Sequence, residues 1–432
     1  MRRRRIFLHA GAVAVLGSLV GCGGGDSDSA PTTAAPTTTA PTTVATTVAP
    51  TTAAPTTAAP TTTAAAPAEV IAADGWTQAA DGAPWGGRAG LRVVALDGDA
   101  GQQLPVIAGR TPKQSSIPGA SDLWGDVWRS DNAGLSWTKV LEDGAAFSPR
   151  AYFQALVHDG AVYVIGGQDF KFPQSSFFND VWRSTDGVTW EQTTAEAPWV
   201  GRAGLMAASF DGAIYVFGGS KNDDAAIIGP AGPVREYFND VWRSTDGVTW
   251  EQVTAAAPWS PRAGGAVAVH EGALYLLGGE VGFICQPYPG CDPPYFNDVW
   301  KTTDGAKWEL VTDNAEWSPR PGHQCESIGV AGTPQIVCFG GFGQGSNPID
   351  VWTSADGATW TLTDSKPWNA TVSEQGRYDF DSTVVMVPHT SGMVPAIITV
   401  GGDRETFDFG DPDNWLRVDD DVWWFVVPGA AQ

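Results

Sequence analysis

The stretch FNDVWRSTDGVTWEQ occurs twice, at Phe178–Gln192 and again at Phe238–Gln252. Looser copies are WGDVWRSDNAGLSWTK from Trp124, FNDVWKTTDGAKWEL from Phe296 and PIDVWTSADGATWTL from Pro348. A sixth copy, DDDVWWFVV from Asp419, stops before its second half. Upstream of the copies runs an apolar stretch ending in a glycine doublet: VYVIGG at 162–167, IYVFGG at 214–219, LYLLGG at 274–279, IVCFGG at 336–341 and IITVGG at 397–402. The first repeat carries the degraded form VIAGR at 106–110. Before each stretch stands an arginine, at Arg88, Arg150, Arg202, Arg262, Arg320 and Arg377, spaced 52 to 62 residues apart.

Each repeat holds four short runs of β-branched and aromatic residues, bounded by Asp-Gly and Gly-Gly punctuation. That composition predicts antiparallel hairpins rather than helices. In the second repeat, strand a follows Arg150, strand b is 162–167, strand c opens at Asp180 and strand d ends the Trp motif near Gln192. Six four-stranded units with a period between 50 and 62 predict an all-β, six-bladed propeller over residues 74–432. The last repeat lacks strand d, and an orphan strand, Trp76–Ala79, precedes the first. The N-terminal strand is therefore expected to complete the sixth blade and close the ring, leaving no free edge.

The glycine doublet with a preceding aromatic and a later Trp resembles the kelch repeat of galactose-oxidase-like propellers. The turn at Ser130–Trp137 resembles the Asp-box hairpin of sialidases, with shorter versions such as Ser184–Trp190. Such a turn is a stable local device: Asp caps it, Gly supplies a positive φ and Trp packs back. No segment matches the arginine-bearing start motif of a sialidase. A copper oxidase with this propeller would need a His and Tyr ligand set that cannot be assembled here. No cofactor or metal is called for; the acidic stretch Asp403–Asp421 reads as solvated loop rather than a calcium site.

In an antiparallel blade the a–b and c–d turns share one face, and the d–a and b–c connections share the other. The a–b turns are tight, whereas the b–c loops vary from 342–348 to 220–237 and 280–295. The six arginines and the aromatics Trp85, Phe147, Trp199, Trp259 and Trp317 fall on the d–a connections, so this second face is the expected binding face. The arginines have two possible roles there. They could ring the channel and attract an anion or acidic sugar. Alternatively, six bidentate pairs between neighbouring blades could join each to an Asp that opens a strand c (Asp126, Asp180, Asp240, Asp298, Asp350 and Asp421), and the equal counts favour pairing. The tryptophans likewise read as sugar platforms or, with more weight, as inter-blade packing.

Residues 1–21 show a basic start and an apolar run, Ile6 to Val20, too short for a span, which reads as an export signal. Leu19-Val20-Gly21-Cys22 resembles the bacterial lipobox, which implies lipidation at Cys22. Arg4-Arg5-Ile6-Phe7-Leu8 resembles the twin-arginine export motif, though four arginines also suit general export. From Asp26 to Pro67 the chain is almost wholly Thr, Ala and Pro, expected to be a disordered spacer reaching roughly 140 Å at about 3.1 Å per residue. Net charge is −23, which argues against nucleic acid and against direct adhesion to anionic lipid. The four cysteines beyond Cys22 suggest local disulfides, Cys285 with Cys291 and Cys325 with Cys338, as suits an oxidising compartment.

These readings describe a monomeric, lipid-anchored binding module on the outer face of a membrane, taking a protein or glycan, without nucleic acid. The alternative is a sugar-processing enzyme analogous to the kelch-type mutarotases of sialic acid. For that chemistry Glu326, His323 and Glu374 are the acid–base candidates near the strand starts.

Overall fold

A computed structural model describes residues 74–98, 101–114, 120–171, 174–222, 235–282, 294–330, 332–343, 345–406, 411 and 413–429. The predicted signal, Cys22, the Thr/Pro-rich spacer and Cys285 with Cys291 lie outside the described residues.

Among the described residues six blade sheets of antiparallel strands follow one another in chain order, with a further two-stranded pair, Ser220–Lys221 with Glu236–Tyr237, on the b–c connection of blade three. Blade two is the plainest: strand a is Gln154–His158, b is Ala161–Ile165, c is Val181–Ser184 and d is Glu191–Thr194. Blade three repeats it with Met206–Phe210, Ala213–Phe217, Val241–Ser244 and Glu251–Thr254. Blade four lengthens b and c (Ala266–His270, Ala273–Glu280, Tyr295–Thr302, Glu309–Thr312). Blade five has long a and b strands and a stub of d (His323–Val330, Thr333–Gly340, Val351–Ser354, Thr361–Leu362). Blade one comprises Arg92–Val93 with Leu96–Gly98, then Gly101–Pro112, Ser121–Ser130 and Thr138–Leu141.

Blade six takes a, b and c from Asp381–His389, Gly392–Val400 and Val422–Val426, and its d strand from Gly75–Ala80 at the other end of the chain. The register runs from Gly75 opposite Val426 to Ala80 opposite Val422. The expected closure is thus observed, and its anchor is aromatic. Trp76 stacks on Phe425 with ring centroids 4.6 Å apart and packs edge-on to Phe339. Asn369, on the linker between blades five and six, donates to the Trp76 carbonyl at 3.3 Å.

The core is divided among the blade interfaces rather than gathered at one centre. Among the described residues six apolar clusters occur, one between each pair of neighbouring blades. Between blades three and four, for example, Phe210, Tyr215 and Phe217 meet Trp259, Leu276 and Trp308. Alternate residues of each strand point to opposite faces of its sheet, so both faces of every blade must be apolar to join two such clusters. This accounts for b strands that are buried throughout, such as Ala213–Phe217.

The c–d turns of blades two to five are built alike, whereas in blade one Asn132, not the expected Asp131, accepts the turn's Ser136 N–H. In Val241–Glu251, Asp246 accepts the backbone N–H groups of Val248 and Thr249, both at 2.8 Å, and Ser244 Oγ accepts the Gly247 N–H at 2.8 Å. The Thr249 and Val248 N–H groups hold the Asp246 carboxyl below its ordinary range. At the matching turn of blade four, a Cβ on Gly305 would lie 2.0 Å from the Tyr215 ring of blade three, so this turn is pressed against its neighbour and admits no side chain. Cys325 and Cys338 face each other across strands a and b of blade five and form the expected disulfide, with sulfurs 2.02 Å apart.

Candidate functional site

The six arginines are all buried, and each forms a bidentate pair with the Asp that opens strand c of its own blade, not of a neighbouring blade as expected. Arg88 meets Asp126 at 2.6 and 3.0 Å, Arg262 meets Asp298 at 2.5 and 2.8 Å, and Arg320 meets Asp350 at 2.6 and 3.0 Å. Arg150–Asp180, Arg202–Asp240 and Arg377–Asp421 complete the set. The remaining donors are also used. Arg262 Nε donates to the Ser260 carbonyl at 3.1 Å and its Nη1 to the Gly278 carbonyl at 2.9 Å, while the guanidinium lies 4.0 Å from the centre of the Phe296 ring. Except in blade five, the Trp of the Asp-Val-Trp motif reinforces the acceptor; Trp300 Nε1 donates to Asp298 at 2.7 Å. Burial by itself would push Asp350 up, but the hydrogen bonds and charge of Arg320 overcome it and hold the carboxyl below its ordinary range.

The reading of these arginines as an anion-attracting ring is therefore corrected, since every guanidinium is spent inside a blade. The same holds for the tryptophans. Trp85, Trp199, Trp259 and Trp317 are at most 4% exposed. Each packs edge-on against a c–d Trp: Trp137, Trp250, Trp308 and Trp360. They seal the blades and offer no platform.

Just inside the arginines, the chain starts of strands a form a closed ring. Gly90 N–H donates to the Asp379 carbonyl, Tyr152 to Gly90, Gly204 to Tyr152, Gly264 to Gly204, Gly322 to Gly264 and Asp379 to Gly322, at 2.8 to 3.1 Å. All six residues have positive φ, between 52° and 66°. Four are glycines, which adopt this conformation freely; Tyr152 and Asp379 adopt it at a cost. With backbones about 4.8 Å apart, a hexagon has a radius of about 4.8 Å, and after atomic radii the opening passes little more than water.

The two exceptions flank Gly90, and the departures from six-fold regularity gather around them. The residue after the glycine doublet is Gln168, Ser220, Glu280 and Phe342 in blades two to five, but Arg110 in blade one and Asp403 in blade six. These two form a buried ion pair at 2.8 Å. Arg110 Nε also donates to the Tyr152 hydroxyl at 2.8 Å. The Tyr378 hydroxyl bonds Asp403, and Glu405 lies beside both charges. Burial pushes Asp379 up to about 6. Burial and the nearby Asp403 charge push Glu405 up to about 8, against the pull of Arg110. A group of perturbed carboxyls, two tyrosines and one arginine at a channel mouth is a candidate ligand site.

Of the acid–base candidates, Glu326 lines the axial channel. Its carboxyl is pushed up to about 7 by burial. His323 is buried at the seam with blade four, with neither ring nitrogen hydrogen-bonded, and is driven down to about 3 by burial and by Arg320. Glu374 sits exposed on the linker before blade six. The three do not converge. Among the described residues no group of three His, Cys, Asp or Glu could hold a metal ion.

Residues 90–341, more than half of the chain, match the KLHDC2/KLHL20/DRC7 Kelch-repeats domain. The chain belongs to the kelch-repeat family. A solved structure titled "Structure of YjhT" superposes with a TM-score of 0.52 at 18% identity, over 75% of this chain and 93% of that one; the likeness is one of fold. A stretch of 138 residues, 30% of this chain, is 25% identical to the "Dynein alpha chain, flagellar outer arm" of Chlamydomonas reinhardtii. It spans only 3% of that protein's length. Kelch propellers are typically binding modules and generally take protein partners.

Proposed function

We propose that this kelch protein is a lipid-anchored binding module on the outer face of a membrane, and that it engages a protein or glycan through the d–a and b–c face. The observation that carries the reading is the break in six-fold regularity on that face. Arg110, Tyr152, Tyr378, Asp379, Asp403 and Glu405 depart from the repeat, and all six gather at one mouth. The a–b and c–d face has no such departure among the plain turns of blades two to four. Gly75 pairs with Val426, at the c–d end of strand c, so strand d of blade six begins on the face opposite the mouth. The lipobox-like Leu19–Cys22 supplies the anchor and the Thr/Pro-rich segment the spacer.

Two measurements test this. Labelled palmitate is expected to enter the full chain and not Cys22→Ser, which should leave the membrane fraction; retention of Cys22→Ser on membranes overturns the anchor. Partners captured by crosslinking on intact cells, or glycans on an array, should be lost with Tyr152→Ala or Glu405→Gln and kept with Glu271→Gln on an a–b turn. Equal loss with all three overturns the assignment of the face.

A further inference from the structure

The six a strands enclose an axial cavity of about 280 Å³, bounded at the mouth by the ring of left-handed residues. Its wall is uneven. Two residues beyond the ring, blade four presents Ala266, while blades two, five, six and one present Gln154, Gln324, Asp381 and Arg92. These polar side chains bridge to the next blade. Gln324 Nε2 donates to the Phe380 carbonyl at 2.9 Å, and Arg92 Nε to the Phe153 carbonyl at 2.9 Å. Asp381 accepts Arg92 Nη1 at 3.0 Å and the Val93 N–H at 2.7 Å. Two residues further, Glu326 Oε1 accepts the Ser382 hydroxyl at 2.6 Å.

Among the described residues, Gln324 Oε1, Glu326 Oε2, Arg92 Nη2 and both ring nitrogens of His323 on this wall form no hydrogen bond within the protein. Gln324 Oε1 and Glu326 Oε2 are acceptors. The charges are also unbalanced. Glu326, Asp381 and Asp379 line the cavity with a single cation, Arg92, and that cation is committed to Asp381. His323 is neutral and adds none. Opposite lie Ala207 and Val267, which offer only hydrocarbon.

We propose that the wall formed by blades five, six and one binds the protonated amino group of a small molecule, with Glu326 as its counter-ion and the Gln324 amide oxygen as a second acceptor. An ammonium group brings donors to two idle acceptors and supplies the missing positive charge. A small anion would meet an excess of carboxylates, and a neutral polyol would leave Glu326 uncompensated. The size bound follows from volume. A cavity of about 150 Å³ holds benzene, so this one holds roughly ten non-hydrogen atoms. The apolar wall suits a short carbon chain. The burial that lifts Glu326 to about 7 makes the site sensitive to pH, because the carboxylate must ionise to pair. The groups around it are Ser382, Asp381, Arg92, Asp379 and His323; the Asp381 charge adds to that lift and the Ser382 hydrogen bond opposes it.

Calorimetric titration of the full chain with 1,4-diaminobutane, and with 1,4-butanediol as the uncharged control, tests the proposal. The diamine is expected to bind and the diol not. Affinity should rise about ten-fold from pH 6 to pH 8 as Glu326 ionises. Glu326→Gln should weaken binding at least ten-fold and abolish the pH dependence, with an unfolding temperature no lower than before; Gln324→Ala should weaken it less. Equal binding of the diol, no binding of the diamine to the unmodified chain, or undiminished binding by Glu326→Gln overturns it. Glu405→Gln at the mouth should leave diamine affinity unchanged, so failure of the outer-face reading and failure of this one are told apart.

Discussion

Blades two to four and the arc from blade five through six to one are built from one repeat, yet they spend their polar residues differently. In blades two to four the arginine of each repeat is neutralised by the Asp of its own blade. Arg262 and Asp298 are the pattern: bidentate, with the guanidinium over an aromatic ring and the carboxylate braced by an indole. In the other arc, ion pairs cross between blades, as in Arg110–Asp403 and Arg92–Asp381, and carboxyls outnumber their cations. The regular arc is optimised for holding the ring together. The irregular arc keeps buried carboxyls without full compensation, which costs stability and is a familiar mark of a ligand site.

The contrast can be broken most sharply at a regular pair. Asp298→Ala leaves Arg262 buried without its partner and should cost about 3–5 kcal/mol in chemical denaturation. A loss below about 1 kcal/mol would show that the pairs are decorative. Next in size is the disulfide of the irregular arc. Cys325→Ser with Cys338→Ser opens a loop of sequence separation 13 and should cost about 3 kcal/mol under oxidising conditions, and nothing once both forms are reduced. Removing Asp246 (Asp246→Ala) deletes two backbone acceptor bonds in one turn and should cost about 1–2 kcal/mol. Glu405→Gln should act in the opposite direction. It removes a carboxyl crowded against Asp403 and should raise stability by about 1 kcal/mol at pH 8, with less effect at pH 6, where Glu405 is already protonated.

Titration separates the two arcs as well. Glu326, Asp379, Asp381 and Glu405 are raised in the folded state, to about 7, 6, 6 and 8. The folded protein therefore binds more protons than the unfolded chain between about pH 4 and 8, so stability falls as pH rises through that window. Asp350, Asp421 and the turn aspartates such as Asp246 are lowered, and their contribution is lost as pH falls below the ordinary carboxyl range. Thermal unfolding should accordingly peak near pH 5. A peak at pH 8 would mean that the irregular arc is not the uncompensated one. The smallest effect belongs to the surface pair Arg183–Glu191, where Glu191→Ala should change stability by less than about 0.5 kcal/mol.

The repeats made much of the fold legible. Glycine doublets, Asp-Gly turns and Asp-Val-Trp recur at a fixed offset, and the missing strand d at one end matched the spare strand at the other. The Arg–Asp pairing was visible as an equality of counts, but counts cannot say which way a guanidinium points. The mouth was less legible. Its signal was present as failures of the repeat: Ala108-Gly109-Arg110 in place of a clean doublet, and Ala151-Tyr152 and Tyr378-Asp379 where the other four blades have Ala-Gly or Pro-Gly. Read one copy at a time these look like decay. Only when the copies are set in a ring do Arg110, Tyr152, Asp379 and Asp403 become neighbours.

The sequence by itself determined the number of blades, the order of strands within each, the closure by Trp76–Ala79 and the separation of a plain face from a variable one. Those properties rest on local patterning, which a repeat prints every 52 to 62 residues. The tertiary structure alone decided that the arginines turn inward, that six left-handed residues constrict the channel, and that one wall of the cavity holds carboxyls in excess. Each of these depends on side chains brought together from different blades, in Arg110 and Asp403 from 293 positions apart, and no local pattern encodes a distance of that kind.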